Sequence, residues 1–286
     1  MHSNRIDLPA LRSGSLEAYV VSAGPLDIGP PEKVFSEVPK ENALADEPPI
    51  SSSANGNIVV EQNVLLIKNG ARTAIFETGT GTSLDPERRD PLHTSLLESG
   101  FRLDEIDAVL PTHAHLDHIG GIMREDGHRN FPNATIHLHA SDVEFWLADE
   151  RLGTRAERSA IVARRNLTPN LDRLVLHRHE QETFPGVTVF HTPGHTVGHT
   201  SYLISSGSDA LFVVGDLVHH PSQLEFPRMR MLFDTSPLEG VDTRLRVLRY
   251  LASRSIPAFF YHFPYPGIGH VEASGDGYRF VPPNRS

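Results

Sequence analysis

Thr112-His113-Ala114-His115-Leu116-Asp117-His118-Ile119-Gly120-Gly121 sets four metal-ligand side chains within six residues, just after the apolar run Ala108-Val109-Leu110. The apolar run reads as a strand. His113 and His115 are two apart, so in extended backbone they point the same way. Asp117 and His118 follow where the chain turns, and they approach the same point from another side. The two glycines allow a tight turn into the next element. The spacing predicts a metal site fed by loops at a strand's end.

Three further apolar runs end in ligand residues. Residues 187–190 lead into His191-Thr192-Pro193-Gly194-His195, a hairpin over 200–204 and 210–214 ends at Gly215-Asp216, and residues 258–261 deliver His262. Seven candidates (His113, His115, Asp117, His118, His195, Asp216 and His262) exceed the four that a tetrahedral zinc takes. They suit two divalent ions about 3.5–4 Å apart with a shared carboxylate. Imidazole with carboxylate favours Zn, with Mn, Co or Fe compatible by ligand type.

The other histidines carry weaker signals. The chain has 17 in all. His2, His93, His128, His177 and His179 fall in no pattern, while His137 and His139 alternate on a predicted strand and read as its polar face. His199 follows His195 by four residues in a repeated Gly-His-Thr and competes with it as a ligand.

Composition narrows the function classes. The 286 residues carry no cysteine, which excludes disulfides, zinc fingers and thiol catalysis. A formal net charge of -10 works against non-specific nucleic-acid binding and fits a small neutral or cationic substrate. No run approaches ~18 apolar residues, so no membrane span is expected. The N-terminus lacks a signal peptide's apolar core, and the expected location is cytoplasmic.

The pass along the chain predicts strands at 15–21, 59–67 and 72–76, the last two joined at Lys68-Asn69-Gly70-Ala71, an Asn-Gly hairpin signal. A helix starts at Asp90-Pro91 and stops at Gly100. Strands at 107–110 and 134–139 follow, then a short helix carrying Phe145, Trp146 and Leu147 and a helical stretch at 155–166 with a solvated basic face. Val241, Leu245, Leu248 and Leu251 have helix spacing, and Arg244, Arg246 and Arg249 read as that helix's solvated face. Strand–helix alternation suggests layered sheets and helices. No linker splits residues 1–286, so one domain is expected, with residues 24–50 as a proline-rich arm or loop, read first as a surface connection and alternatively as an arm over a pocket or over the partner in a homodimer.

The motif series His-x-His-x-Asp-His, Thr-Pro-Gly-His, Gly-Asp and a late His resembles the metallo-β-lactamase superfamily. The resemblance implies an α+β fold, the αββα sandwich of that superfamily. It implies that His113, His115 and His195 hold one metal, that Asp117, His118 and His262 hold the other, and that Asp216 bridges them. The Thr-Pro-Gly before His195 matches the family position and prefers it over His199. The tail from His262-Phe263-Pro264 through His270 to Pro282, with Glu144-Phe145-Trp146-Leu147, is similar to the methyl parathion hydrolase branch and its lactonase relatives. This implies that Trp146 and Phe145 line a substrate pocket and that His270 organises the loop at His262 or touches substrate. Two positions depart from the pattern. Glu77 stands in Glu77-Thr78-Gly79 where the family has Asp, an acid that supports a ligand histidine. His219 stands where related lactonases carry a tyrosine; it either donates a hydrogen bond to a carbonyl oxygen or is an ordinary loop residue.

The resulting expectation is a dinuclear metal-dependent hydrolase. A metal-bridging hydroxide, oriented by Asp117, cleaves an ester, lactone or organophosphate triester. The alternatives are a thioester hydrolase of the glyoxalase II type, a mononuclear iron persulfide dioxygenase-like enzyme, and a non-catalytic binding protein on the same fold.

Overall fold

The computed structural model describes residues 16–36, 56–83 and 90–283. In chain order the first half comprises β1 (Leu16–Gly29), the helical turn α1 (Pro31–Val34), β2 (Phe35–Ser36), β3 (Ile58–Asn69), β4 (Arg72–Phe76), α2 (Pro91–Glu98), β5 (Ala108–Val109), α3 (Leu116–Ile119), β6 (Thr135–His139), α4 (Ala140–Leu147), α5 (Glu157–Leu167) and β7 (Leu174–His177). The second half comprises β8 (Glu182–Phe184), β9 (Val187–His191), β10 (Thr200–Ser206), β11 (Asp209–Val213), α6 (Ser222–Glu225), β12 (Arg230–Met231), α7 (Pro237–Arg254), β13 (Ala258–Phe259), β14 (Ile268–Ser274) and β15 (Gly277–Val281).

These form two large sheets, one of order β1-β3-β4-β5-β6-β7 and one of order β15-β14-β13-β11-β10-β9-β8. β4 through β7 run parallel, while the hairpin β3–β4 and most of the second sheet are antiparallel. Alternation explains the layering. Leu65 and Ile67 of β3 and Phe76 of β4 face the second sheet, where they meet Val189, Tyr202, Ile204 and Val213. Their neighbours Val64, Leu66 and Ile75 face the other way and pack on Leu92, Leu96, Val143 and Leu167 of the helices. Strands buried on both faces read as unbroken apolar runs, which is how residues 64–67 read. Val247, Leu248 and Leu251 of α7 cover the outer face of the second sheet against Phe212 and Phe260. The result is the expected α+β sandwich of four layers, αββα.

Local signals explain the boundaries. The Asp90 carboxylate accepts the N–H of Leu92 at 2.9 Å and Pro91 occupies the first helical position, so α2 starts where predicted. Three expectations change. Residues 24–29, read as arm, continue β1 along β3, with a register shift between Ser22 and Pro25 that accommodates a residue without an N–H. Residues 31–36 form α1 and β2, and β2 pairs with β12; residues 37–50, the rest of the arm, lie outside the described residues. Arg244 is buried rather than solvated. It lies three residues after Val241 and four before Leu248, so the 3.6-residue period turns it inward, while Arg246 and Arg249 stay exposed. Its guanidinium donates to the carbonyls of Leu217, Pro227 and Met229.

Candidate metal centre

The ligand residues all follow the C-terminal ends of strands at one edge of the sandwich: β5 leads to His113 and His115, β9 to His195, β11 to Asp216 and β13 to His262. Backbone contacts clamp that edge. Thr200 N–H donates to the Thr112 carbonyl at 2.8 Å and the Tyr202 hydroxyl to the Pro111 carbonyl at 2.6 Å, joining the two sheets beside the ligands. The glycines of the opening motif act through close approach, not a turn. Gly120 has ordinary helical backbone, φ -61°, but a Cβ there would lie 2.5 Å from the Thr80 carbonyl oxygen, and one on Gly121 would lie 2.2 Å from that of Thr78. Gly215 needs both properties: φ is +63°, and a Cβ would lie 2.6 Å from His199 Nε2.

The structure brings the seven candidates into two adjoining clusters. In the first, His195 Nε2 stands 3.1 Å from His113 Nε2 and 3.0 Å from His115 Nδ1. In the second, Asp117 Oδ2 stands 3.3 Å from His118 Nε2 and 3.4 Å from His262 Nε2. Asp216 reaches both: Oδ2 is 3.2 Å from His118 and 3.3 Å from His195, and Oδ1 is 3.3 Å from His262. Ligands about 2.1 Å from one tetrahedral ion stand roughly 3.4 Å apart, so these spacings fit ions held between the side chains. Asp216 Oδ1 is buried without a hydrogen-bond partner, which a cation would satisfy.

Neighbouring groups set which nitrogen of each ring faces inward. Nδ1 of His262 donates to the Glu61 carbonyl at 2.9 Å, and Nδ1 of His195 donates to Asp234 Oδ1 at 2.8 Å. Nδ1 of His118 lies 3.0 Å from Glu77 Oε2. Each contact leaves Nε2 with its lone pair toward the cluster. Glu77 therefore supports a ligand-type histidine despite its extra methylene, and its two oxygens also accept the Thr112 N–H, both at 3.2 Å. Burial holds His115 and His195 down at about 3 and depresses His113 as well, so these rings are neutral donors. For His118 and His262 burial acts the same way, but Asp216 and neighbouring carboxylates outweigh it and raise both, His262 to about 10. Positive charge is drawn to the second cluster, and a dication would displace protons there.

Sequence reasoning missed several supporting groups. Asp234, ahead of α7, is buried and burial lifts its carboxyl to about 6; nothing in its local sequence marks it as a partner of His195. Asp142 accepts the N–H of Ala114 at 2.7 Å and that of Gly198 at 3.1 Å, tying the two ligand loops together. His199, the competing ligand, instead accepts the Asp216 N–H on Nε2 at 3.0 Å, while its Nδ1 contacts Thr192. It holds the backbone beneath Asp216.

A cleft of about 630 Å3 opens over the clusters and is lined by His115, Asp117, His195, Asp216 and His262. Trp146 and Phe145 line it too, with the Trp146 ring 5.1 Å from that of His115. His219 also lines it: Nε2 is 3.1 Å from Asp216 Oδ2, and the ring stacks on His262. His270 does not. It lies on β14 opposite Val281 and is not among the residues lining the cleft, because strand pairing carries the tail away from the ligand edge.

A model of the metallo-beta-lactamase superfamily matches residues 58–258. Two curated proteins, each a probable metallo-hydrolase, from Mycobacterium bovis and Mycobacterium tuberculosis, are 26% identical over 192 residues, 57% of this chain and 58% of theirs. An N-acyl homoserine lactonase from a Bacillus species is 28% identical over 117 residues, 41% of this chain and 40% of that one. The chain thus spans less than two thirds of these relatives' length. Among solved structures, AidC, a dizinc quorum-quenching lactonase in complex with a product, is similar with TM-score 0.85 and 25% identity, covering 96% of this chain and 97% of that one.

Proposed function

The chain belongs to the metallo-beta-lactamase superfamily, and from that premise we propose that it is a hydrolase dependent on two divalent ions, Zn foremost, acting on an ester, lactone or phosphotriester. One observation carries the reading. Seven imidazole and carboxylate groups converge in two clusters that share Asp216, at the floor of a cleft with an aromatic wall. Divalent ions bound there supply Lewis acidity and a water acidified toward neutral pH.

The chain's own residues divide the remaining work. His113, His115 and His195 would hold one ion, and Asp117, His118 and His262 the other, with Asp216 between. Asp117 remains 16% exposed at its side chain, unlike the buried His118 beside it, so it is placed to meet an entering substrate and to pass a proton to the leaving group. His219 faces the same space next to Asp216, where neither of its ring nitrogens has a hydrogen-bond partner. One of them can donate to a substrate oxygen, the part that a tyrosine plays in the lactonase resemblance. Trp146 and Phe145 exclude water from the apolar side of the scissile group.

The test is a panel of a p-nitrophenyl ester, a lactone, a phosphotriester and a thioester, assayed before and after exhaustive chelation. Loss on chelation and recovery with Zn, Mn or Co is expected, with the thioester poorest. Full activity of thoroughly demetallated protein would sink the proposal. One iron per chain, in place of two zincs, would point instead to oxygen chemistry on the same fold.

A further inference from the structure

The cleft has a basic wall that the hydrolytic reading leaves unused. Between α4 and α5 the chain crosses its mouth, and Arg151, Arg155 and Arg158 all line it. Other arginines of this region are paired: Arg164 with Asp149, Arg165 with Glu125, and Arg178 with Glu144. Among the described residues no carboxylate pairs with Arg151, Arg155 or Arg158. The acid nearest in sequence to Arg155 and Arg158, Glu157, accepts the Gly153 N–H instead, and Glu150, beside Arg151, is exposed. Arg151 lies over the Phe145 ring, 4.4 Å from its centroid, and its Nε is buried without a hydrogen-bond partner. Three cations without a carboxylate at ion-pair distance stand out at one cleft in a chain of net charge -10.

Apolar side chains line the cleft as well, Leu26, Ile28, Trp146, Leu232 and Phe233 among them. Leu232 and Phe233 are 46% and 49% exposed, a solvent contact that an apolar ligand would relieve. Guanidinium groups pair in parallel with carboxylate, phosphate or sulfonate oxygens. Low-dielectric walls beside them strengthen that attraction.

We infer that the cleft takes an amphiphilic anion, with its apolar body along Trp146 and Phe145 and its anionic end at Arg151, Arg155 and Arg158. The fate of the scissile group at the other end rests on the hydrolase reading; binding at the arginines does not. Within the substrate class this selects an ester or lactone bearing a remote acidic group over a neutral one.

Trp146 is the chain's single tryptophan, so its fluorescence reports occupancy of the cleft directly. The metal-loaded full chain is titrated with octanesulfonate and with neutral methyl octyl sulfone. At low salt the sulfonate is expected to bind about tenfold tighter. R155Q/R158Q, at two exposed positions, is expected to shrink that preference while leaving sulfone binding unchanged, and R151Q, which also uncovers the Phe145 ring, is expected to shrink the preference. Equal affinities in the unsubstituted protein, or a preference that survives all three substitutions, would overturn the inference. Turnover of p-nitrophenyl octanoate and its terminally sulfonated analogue is followed separately. Sulfonate preference without turnover of either ester supports the binding inference and removes the aryl ester from the hydrolase reading, whose lactone and phosphotriester arms are read by the chelation panel. Turnover without discrimination overturns the inference and leaves the hydrolase reading standing.

Discussion

Glu77 Oε2 lies 3.0 Å from Nδ1 of His118, and Glu77 holds that position from left-handed backbone, φ +69°. A non-glycine residue in this region costs about 1–3 kcal/mol and persists only where surrounding structure over-determines it. Here the determinants are the Thr112 N–H on the carboxylate and the Thr78 N–H on the His118 carbonyl, 2.9 Å away. Strain and function meet in one residue.

Replacing that carboxylate should therefore weaken metal retention more than folding. Glu77→Gln is expected to lower metal affinity roughly 10- to 100-fold, the usual cost of losing a hydrogen-bond partner behind a ligand. Glu77→Asp should lose less. Competition against a chromogenic chelator measures this, and unchanged affinity in Glu77→Gln would show that His118 needs no such support.

Asp216 is the group common to both clusters, so Asp216→Ala should empty both where a change at His262 empties one. Elemental analysis of the dialysed proteins separates the cases: close to two ions per chain in the unsubstituted protein, fewer than one in Asp216→Ala. The backbone beneath it, anchored by the Asp216 N–H on His199, does not depend on the side chain. A folded circular-dichroism spectrum should accompany the loss.

Arg244 predicts a stability effect with no change of chemistry. Its guanidinium satisfies three carbonyls inside the protein, and burial lowers it to about 10. Arg244→Ala leaves those acceptors unpaired and should cost about 3–5 kcal/mol. Urea denaturation reads it, and Arg249→Ala on the exposed side of α7 is the control, expected within about 0.5 kcal/mol of the parent.

Acid should destabilise the protein through histidines remote from the metal clusters. Burial depresses His137 to about 4 and His177 to about 3, below the ordinary value near 6.5. Between those limits the unfolded chain binds protons that the folded chain refuses, so stability is fully present above about 6.5 and falls as pH drops toward 4. His137→Gln should flatten the decline between pH 6.5 and 4, measured as the thermal midpoint. An unchanged slope would place the acid sensitivity elsewhere.

Covalent identity and local period were enough for much of the site. Histidine and aspartate carry metal-binding atoms in any setting, and a strand followed by glycine or proline delivers them to a sheet edge. The cap at Asp90-Pro91, the hairpin at Asn69-Gly70 and the doubly buried runs of β3 and β4 need only nearest neighbours to be legible. Arg244 is misread as solvated when charge is weighed above the 3.6-residue period that turns it inward.

Contacts between residues distant in sequence carry no such local mark. Asp234 meets His195 across 39 positions, Asp142 meets Ala114 across 28, and His262 Nδ1 finds the Glu61 carbonyl across 201. The first and last of these choose which ring nitrogen faces inward, and the second ties the ligand loops together. The seven candidates are nameable from residue type and strand ends, with the family resemblance choosing His195 over His199. Asp216 standing within reach of both clusters, His270 leaving the cleft and three arginines meeting at its mouth were decided by how two sheets pack edge to edge, since loop direction is set by packing and not by the residues that the loop contains.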